Sequence, residues 1–240
     1  MSILVVGASG ATGRKLIEQL LSQDQKIKII VRSIEKIPES WKNNTNLKII
    51  VASVLNLSEK ELCKHVLGCY SVVSCLGHNL TWKGVYGQPR ELVTDATKRL
   101  CNAIKMNKPE APVKYILMNT TGNRNRDINE PISFAQKYII GLLSLLLPPH
   151  VDNEKAADFL RTQIGQKDVL VEWVAVRPDG LINEEEVTSY KVFNSPTRSP
   201  IFNPGKTSRI NVANFMAKLI SDRNLWDKWK GKMPVIYNKF

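Results

Sequence analysis

The stretch Ile3–Gly13, ILVVGASGATG, constrains this chain more than any other. An apolar run with no polar alternation suits a strand buried on both faces, as in a parallel sheet. Three glycines follow at a spacing of three, Gly7, Gly10 and Gly13. They predict a tight turn out of the strand and into a helix over Ala11–Ser22. Gly7 can take backbone angles closed to a side chain. Gly10 lets the main chain approach a pyrophosphate, and Gly13 lets helix and strand pack closely. The free N–H groups at the helix N-terminus would hold that anion. The spacing departs from the commoner G-x-G-x-x-G. The same turn could merely join strand to helix, but its place between a clean strand and a clean helix favours binding.

The rest of the chain repeats the alternation. Further strands are predicted at Lys26–Arg32, Leu47–Ala52, Tyr70–Leu76, Lys114–Asn119, Val171–Arg177 and Met233–Tyr237. Between them lie helical patterns at Ser58–Leu67, Arg90–Lys105 and Asn211–Asp222, the first opening with the capping-box pair Ser58 and Glu61. Asp152 or Asn153 should cap another helix, running to about Gly165. Ser133–Leu147 reads as an unusually apolar helix. This order predicts a single α/β domain over 1–240, a doubly wound Rossmann fold with a mostly parallel sheet. Residues 1–178 would form the cofactor-binding core. Residues 179–240 would form a small C-terminal substrate-side region, loop-rich to about Gly205, with a short strand within Val187–Asn194.

In such a fold a dinucleotide lies outside the carboxyl ends of the strands. About twenty residues past the glycine turn, the end of the second strand meets the adenosine ribose. A carboxylate there accepts from the 2′-hydroxyl, whereas an arginine pairs with a 2′-phosphate. This chain has Arg32, then Ser33, then Lys36, and no carboxylate at the strand end. NADP(H) is therefore expected in preference to NAD(H). The fourth strand's end, Cys75–Leu76–Gly77, should border the same groove, with His78 on its rim. Thr120 and Thr121 close the fifth strand with hydroxyls on the cofactor's edge.

A formal net charge of +12 raises the question of nucleic acid. The basic residues are spread along the chain without a basic run, so steering of an anionic dinucleotide is the better reading. The four cysteines, Cys63, Cys69, Cys75 and Cys101, contain no C-x-x-C pair. They read as reduced core thiols of a cytoplasmic protein with no metal site and no signal peptide. The longest apolar run, Ile139–Leu147, falls well short of the ~20 residues needed to span a bilayer. It suits a buried helix, a wall of an apolar substrate pocket, a homodimer or partner face, or a surface that touches lipid.

Taken in order, GASGATG, the VR ending the second strand, the CLG turn and WVAVRP at Trp173–Pro178 resemble a known group. They are similar to the atypical short-chain dehydrogenases/reductases, specifically the NmrA-like and biliverdin-reductase-B/flavin-reductase-like NAD(P)H-binding branch. The resemblance implies that Gly7, Ser9, Gly10, Ala11, Thr12 and Gly13 form the phosphate turn. It implies that Arg32, with Ser33 and Lys36, holds the 2′-phosphate. Ser53–Val54 stands where the family carries Asp-Val beside adenine. Cys75, Leu76 and Gly77 would run along the cofactor, and Pro178 and Leu181 would pack near the nicotinamide end.

Classical short-chain dehydrogenases/reductases use a Tyr-x-x-x-Lys pair in which the lysine lowers the tyrosine's pKa. No such pair occurs here. Lys155 falls at the lysine's place and Val151 at the tyrosine's, and His150 could substitute only if the helix start turns it inward. Thr120, Thr121 and Lys155 are the catalytic candidates. The weak catalytic set and the apolar Ile139–Leu147 segment point to an NADPH-dependent reductase of a flat or apolar small-molecule acceptor, of flavin or quinone type, since such acceptors need no strong protein acid. The alternative is a non-catalytic NADP(H)-sensing regulator or scaffold. An epimerase or reductase of the extended family is disfavoured by the lost tyrosine and the short region after Pro178.

Overall fold

The computed structural model describes residues 1–78, 87–128, 130 and 148–239. The expected apolar helix Ser133–Leu147, with the Ile139–Leu147 contact face, lies outside the described residues. Strands and helices alternate as β1 (Ser2–Val6), α1 (Ala11–Leu21), β2 (Ile27–Val31), α2 (Glu39–Lys42), β3 (Leu47–Val51), α3 (Glu59–Val66) and β4 (Cys69–Ser74). They continue as α4 (Leu92–Met106), β5 (Val113–Met118), α5 (Pro148–Phe159) and β6 (Val171–Pro178). Beyond these lie β7 (Gly180–Ile182), β8 (Tyr190–Phe193), β9 (Lys206–Ser208), α6 (Arg209–Ser221), α7 (Arg223–Trp229) and β10 (Val235–Asn238).

The main sheet has the order β3-β2-β1-β4-β5-β6-β10-β8. Its first six strands have the doubly wound dinucleotide-fold order. Every pairing is parallel except β10 with β8. Alternate side chains of each strand feed two separate cores. Ile3 and Val5 of β1 pack with Leu16, Ile17 and Leu20 of α1 and with Val212, Phe215 and Met216 of α6. Leu4 and Val6 pack on the other face with Leu62 of α3, Leu100 and Ile104 of α4, and Ala156 and Leu160 at α5. That double burial is why β1 reads as an unbroken apolar run.

Two expectations change. Asp152 and Asn153 do not cap their helix, because α5 already begins at Pro148 and continues through a π-helical turn over Leu160–Ile164. The region past Pro178 also gains three elements that its sequence pattern did not mark, β7, β9 and α7. β10 and β8 extend the main sheet, α6 covers the core beside α1, and Trp226 and Trp229 of α7 are buried there. The short strand expected within Val187–Asn194 is β8. The Ser58–Glu61 capping box is present at α3, the Ser58 hydroxyl accepting from Glu61 N–H and the Glu61 carboxylate from Ser58 N–H.

Candidate functional site

The order of the sheet reverses between β1 and β4, and the turns leaving those two strands meet there. Gly7 has φ +78°. A Cβ on it would stand 2.5 Å from the Cys75 carbonyl carbon and oxygen. Glycine is thus required twice, by backbone angle and by the close approach of the turn after β4. A Cβ on Gly13 would meet the Gly7 carbonyl oxygen at 2.2 Å, which explains how closely α1 seats on the turn. Gly10 is different: its Cβ would touch the Gly7 oxygen at 3.2 Å and nothing nearer. α1 starts on Gly10 with no side-chain cap and no acidic residue in its first turn. Its first N–H groups face outward with a positive dipole end, suited to an anion.

A cleft of about 210 Å³ runs from this turn across the ends of β2 and β3. It brings together eleven of the residues expected from sequence: Gly7, Ser9, Gly10, Arg32, Ser33, Lys36, Ser53, Val54, Cys75, Leu76 and Gly77. Leu92, at the start of α4, joins them. No carboxylate lines the cleft among the described residues, while Arg32 and Lys36 are exposed cations along it. The Ser33 hydroxyl accepts from Glu35 N–H at 3.2 Å and caps the 3-10 turn that carries Lys36. Arg14, which the sequence reading passed over, donates to the Lys36 carbonyl at 2.5 Å and ties that turn to α1. Burial pushes the Cys75 thiol up to about 12, so it lines the cleft as a small apolar group and not as a nucleophile.

The other expected residues lie elsewhere. Thr12 and Gly13 are buried within α1, and Ala11 is exposed at its start, outside the cleft lining. Pro178 is buried at the end of β6, paired with Ile236 of β10, and Leu181 packs against the core from β7. Thr121 is buried, with its N–H donating to the Pro178 carbonyl at 3.1 Å and its side chain beside the Asp179 carboxylate. Thr120 is half-buried and its hydroxyl accepts from Gly122 N–H at 3.3 Å. Lys155 is turned to solvent, where it pairs with Glu91 at 2.5 Å.

Past the ends of β4 and β5 the structure assembles a polar cluster that sequence spacing did not reveal. Asp152 is buried and accepts from the N–H groups of Val93 and Thr94, at 2.8 and 2.9 Å. It therefore caps α4, a helix some sixty residues earlier in the chain. The same carboxylate holds His78 Nε2 at 2.7 Å. Burial alone would raise the Asp152 pKa; the hydrogen bonds from His78 and the α4 amides outweigh it and the carboxyl sits below its ordinary value. His150 lies in the first turn of α5, against Gly122, and its Nε2 is buried without a hydrogen-bond partner among the described residues. Burial lowers its pKa, partly offset by Glu154.

Arg177 of β6 holds this end together. It is fully buried, and all five of its N–H donors meet acceptors. These are the carbonyls of Met233 (2.7 Å), Asn123 (2.8 Å) and Asn194 (3.2 Å), and both oxygens of buried Glu130 (3.1 and 2.6 Å). One side chain thus joins the segment after β5 to the ends of β6, β8 and β10. The WVAVRP motif was recognisable in sequence, but not its arginine's partners.

Fold and cleft define a dinucleotide-binding Rossmann protein, the backbone cradle and the uncapped helix fitting a pyrophosphate. A family described as NAD(P)H-binding matches residues 7–223, and the chain belongs to that family, in keeping with its resemblance to the atypical short-chain dehydrogenases/reductases. Solved structures share the fold. The oxidoreductase ylbE from Lactococcus lactis superposes with a TM-score of 0.70 at 18% identity, over 100% of this chain and 91% of that one. A short-chain dehydrogenase/reductase from Veillonella parvula in complex with NADP gives 0.71 at 17% identity, over 99% and 94%. The anaerobillin reductase ChuY from Escherichia coli O157:H7 gives 0.69 at 12% identity, over 99% and 97%. An uncharacterized chloroplastic protein of Arabidopsis thaliana, At2g34460, is 40% identical over 58 residues, which is 24% of this chain and 21% of that protein. Among the described residues no cluster of His, Cys, Asp or Glu could hold a metal ion, and no helix is long and apolar enough to cross a membrane.

Proposed function

We propose that the protein is an NADPH-dependent reductase of a flat, apolar acceptor of flavin or quinone type, working in the cytoplasm. The observation that carries the cofactor preference is the lining of the cleft beyond the glycine turn: Arg32 and Lys36, with no carboxylate among the described lining residues. A 2′-phosphate there gains charge-assisted hydrogen bonds, while a bare ribose finds no carboxylate to accept from its 2′-hydroxyl. Arg14 braces the Lys36 turn for that task. Gly7, Ser9 and Gly10 would hold the pyrophosphate, Ala11, Thr12 and Gly13 forming the helix start behind it, and Ser53, Val54 and Leu92 the adenosine. Leu76 and Gly77 would run beneath the cofactor towards Thr120, with Pro178 and Leu181 behind the nicotinamide end.

When bound, the dihydronicotinamide supplies a hydride, and the chain's own groups orient it and keep water out. The test is NADPH oxidation by purified protein with phenanthrenequinone or FMN as acceptor. Turnover with either supports the reductase. Tight NADPH binding with no turnover over a broad acceptor panel contradicts it and leaves the NADP(H)-sensing reading.

A further inference from the structure

We propose that His150 hands a proton to the carbonyl oxygen of the acceptor, which makes that acceptor a quinone or related conjugated carbonyl and not a flavin. This deepens the reductase reading and rests on it. The tyrosine's place is taken by Val151, which carries no proton, and Lys155 is engaged with Glu91 at the surface. α5 nevertheless starts early enough to turn His150 back over the end of β5. A Cβ on Gly122 would stand 3.2 Å from His150 Cε1, 3.5 Å from its Nδ1 and 3.7 Å from Thr120 Oγ1. Imidazole and hydroxyl therefore share one small space at the carboxyl edge of the sheet, the edge along which such cofactors lie.

On the same ring His150 Nε2 is shut from solvent and makes no hydrogen bond with any described residue. Buried polar atoms are nearly always paired, and an unpaired one at a site edge points to a ligand's polar atom as its partner. The Thr120 hydroxyl accepts from Gly122 N–H, which leaves its own hydrogen free to donate. The other two histidines are placed for other work: His78 is held by Asp152, and His65 sits in the last turn of α3, ahead of β4.

The balance is that of a two-electron reduction. The hydride and one proton convert a quinone to a hydroquinone: the Nε2–H bond of the imidazolium breaks, an O–H bond forms on the acceptor, and the neutral imidazole is reprotonated by water that enters as the hydroquinone leaves. The charged group that acts on His150 is Glu154 on its own helix, which is paired with Arg126 of the loop after β5. Quinone turnover should therefore fall with rising pH as the imidazolium is lost.

The test uses the full chain, His150→Gln and His150→Phe, with phenanthrenequinone and FMN as acceptors. Expected are a loss of roughly 10²-fold or more in quinone kcat, a pH profile flattened in both variants, and NADPH affinity within about twofold of the parent. A second readout needs no turnover. In the NADP+ complex, NMR of the His150 Cε1–H should shift when phenanthrol, a hydroxyl analogue of the product, is added, while His65 stays still. Unchanged quinone turnover in the variants, or a His150 signal that phenanthrol does not move, overturns the assignment. So does a parent protein that reduces FMN alone, which would spare the reductase reading. A protein that binds no NADPH overturns both.

Discussion

At the glycine turn the main chain does the fitting: Gly7 at φ +78°, Gly13 seated on the Gly7 oxygen, and the uncapped start of α1, all within one short stretch. At the β5 end side chains do it, and they come from five places: His78, Thr120, Glu130, His150–Asp152 and Arg177. The first end is specified by local sterics, the second by long-range pairing. A substitution should therefore damage the two ends in different ways, binding at one and integrity or turnover at the other.

The largest effect is expected from Arg177→Met. It strands the buried Glu130 carboxylate and frees three carbonyls, so unfolding free energy should drop by about 3–5 kcal/mol, read by urea denaturation. The double variant with Glu130→Met should recover part of that loss. Equal stability of single and double variants would break the view of Arg177 as the clasp of this end.

Gly10→Val sharpens the contrast from the other side. Its Cβ meets one backbone oxygen at 3.2 Å, so the fold should survive. The added side chain would occupy the anion's place and remove two or more charge-assisted hydrogen bonds, a loss on the order of 100-fold in affinity for both NADPH and NADH. Gly13→Val should instead destabilise the fold, by about 1–3 kcal/mol or more, since its Cβ would overlap the Gly7 oxygen. Thermal melts separate the two.

Next comes Arg32→Asp, which should weaken NADPH by on the order of 1.5–3 kcal/mol and leave NADH nearly unchanged. Equal losses for both would remove the 2′-phosphate role.

Asp152→Asn probes the β5 end through pH. The Asp152 pKa lies below its ordinary value in the folded protein, so the folded state binds fewer protons than the unfolded state across that window. Its stabilisation is present above the unfolded pKa of about 3.9 and is lost as pH falls through the folded value. The variant should be less stable than the parent near neutral pH, and the gap should close in acid. A gap independent of pH would remove the charge from the account. The smallest effect belongs to Lys155→Ala, whose exposed pair with Glu91 should contribute less than about 1 kcal/mol and whose loss should leave NADPH affinity within about twofold.

The same contrast explains what could be read before folding. β1, the glycine turn, Arg32 and the six parallel strands announce themselves because burial on two faces and tight turns leave local marks: unbroken apolar runs and glycines at fixed intervals. Asp152 was misread because its residue type and its place near a helix start suggested a cap for its own helix, whereas its carboxylate caps α4. Arg177 carries a motif but no local sign of Glu130, 47 residues away. His150 was visible as a neighbour of the missing tyrosine, and only its contact with Gly122 shows which way its ring turns. β8 and β10 were expected as strands, but nothing local says that they lie side by side at the edge beyond β6.

The central claim is that this cleft takes NADPH through its 2′-phosphate. Calorimetric titration of the purified chain with NADPH and with NADH tests it most directly. The account predicts saturable one-site binding of NADPH at least tenfold tighter than that of NADH, roughly the 1.4 kcal/mol or more that the phosphate contacts should contribute. Equal affinities, or tighter binding of NADH, would contradict it.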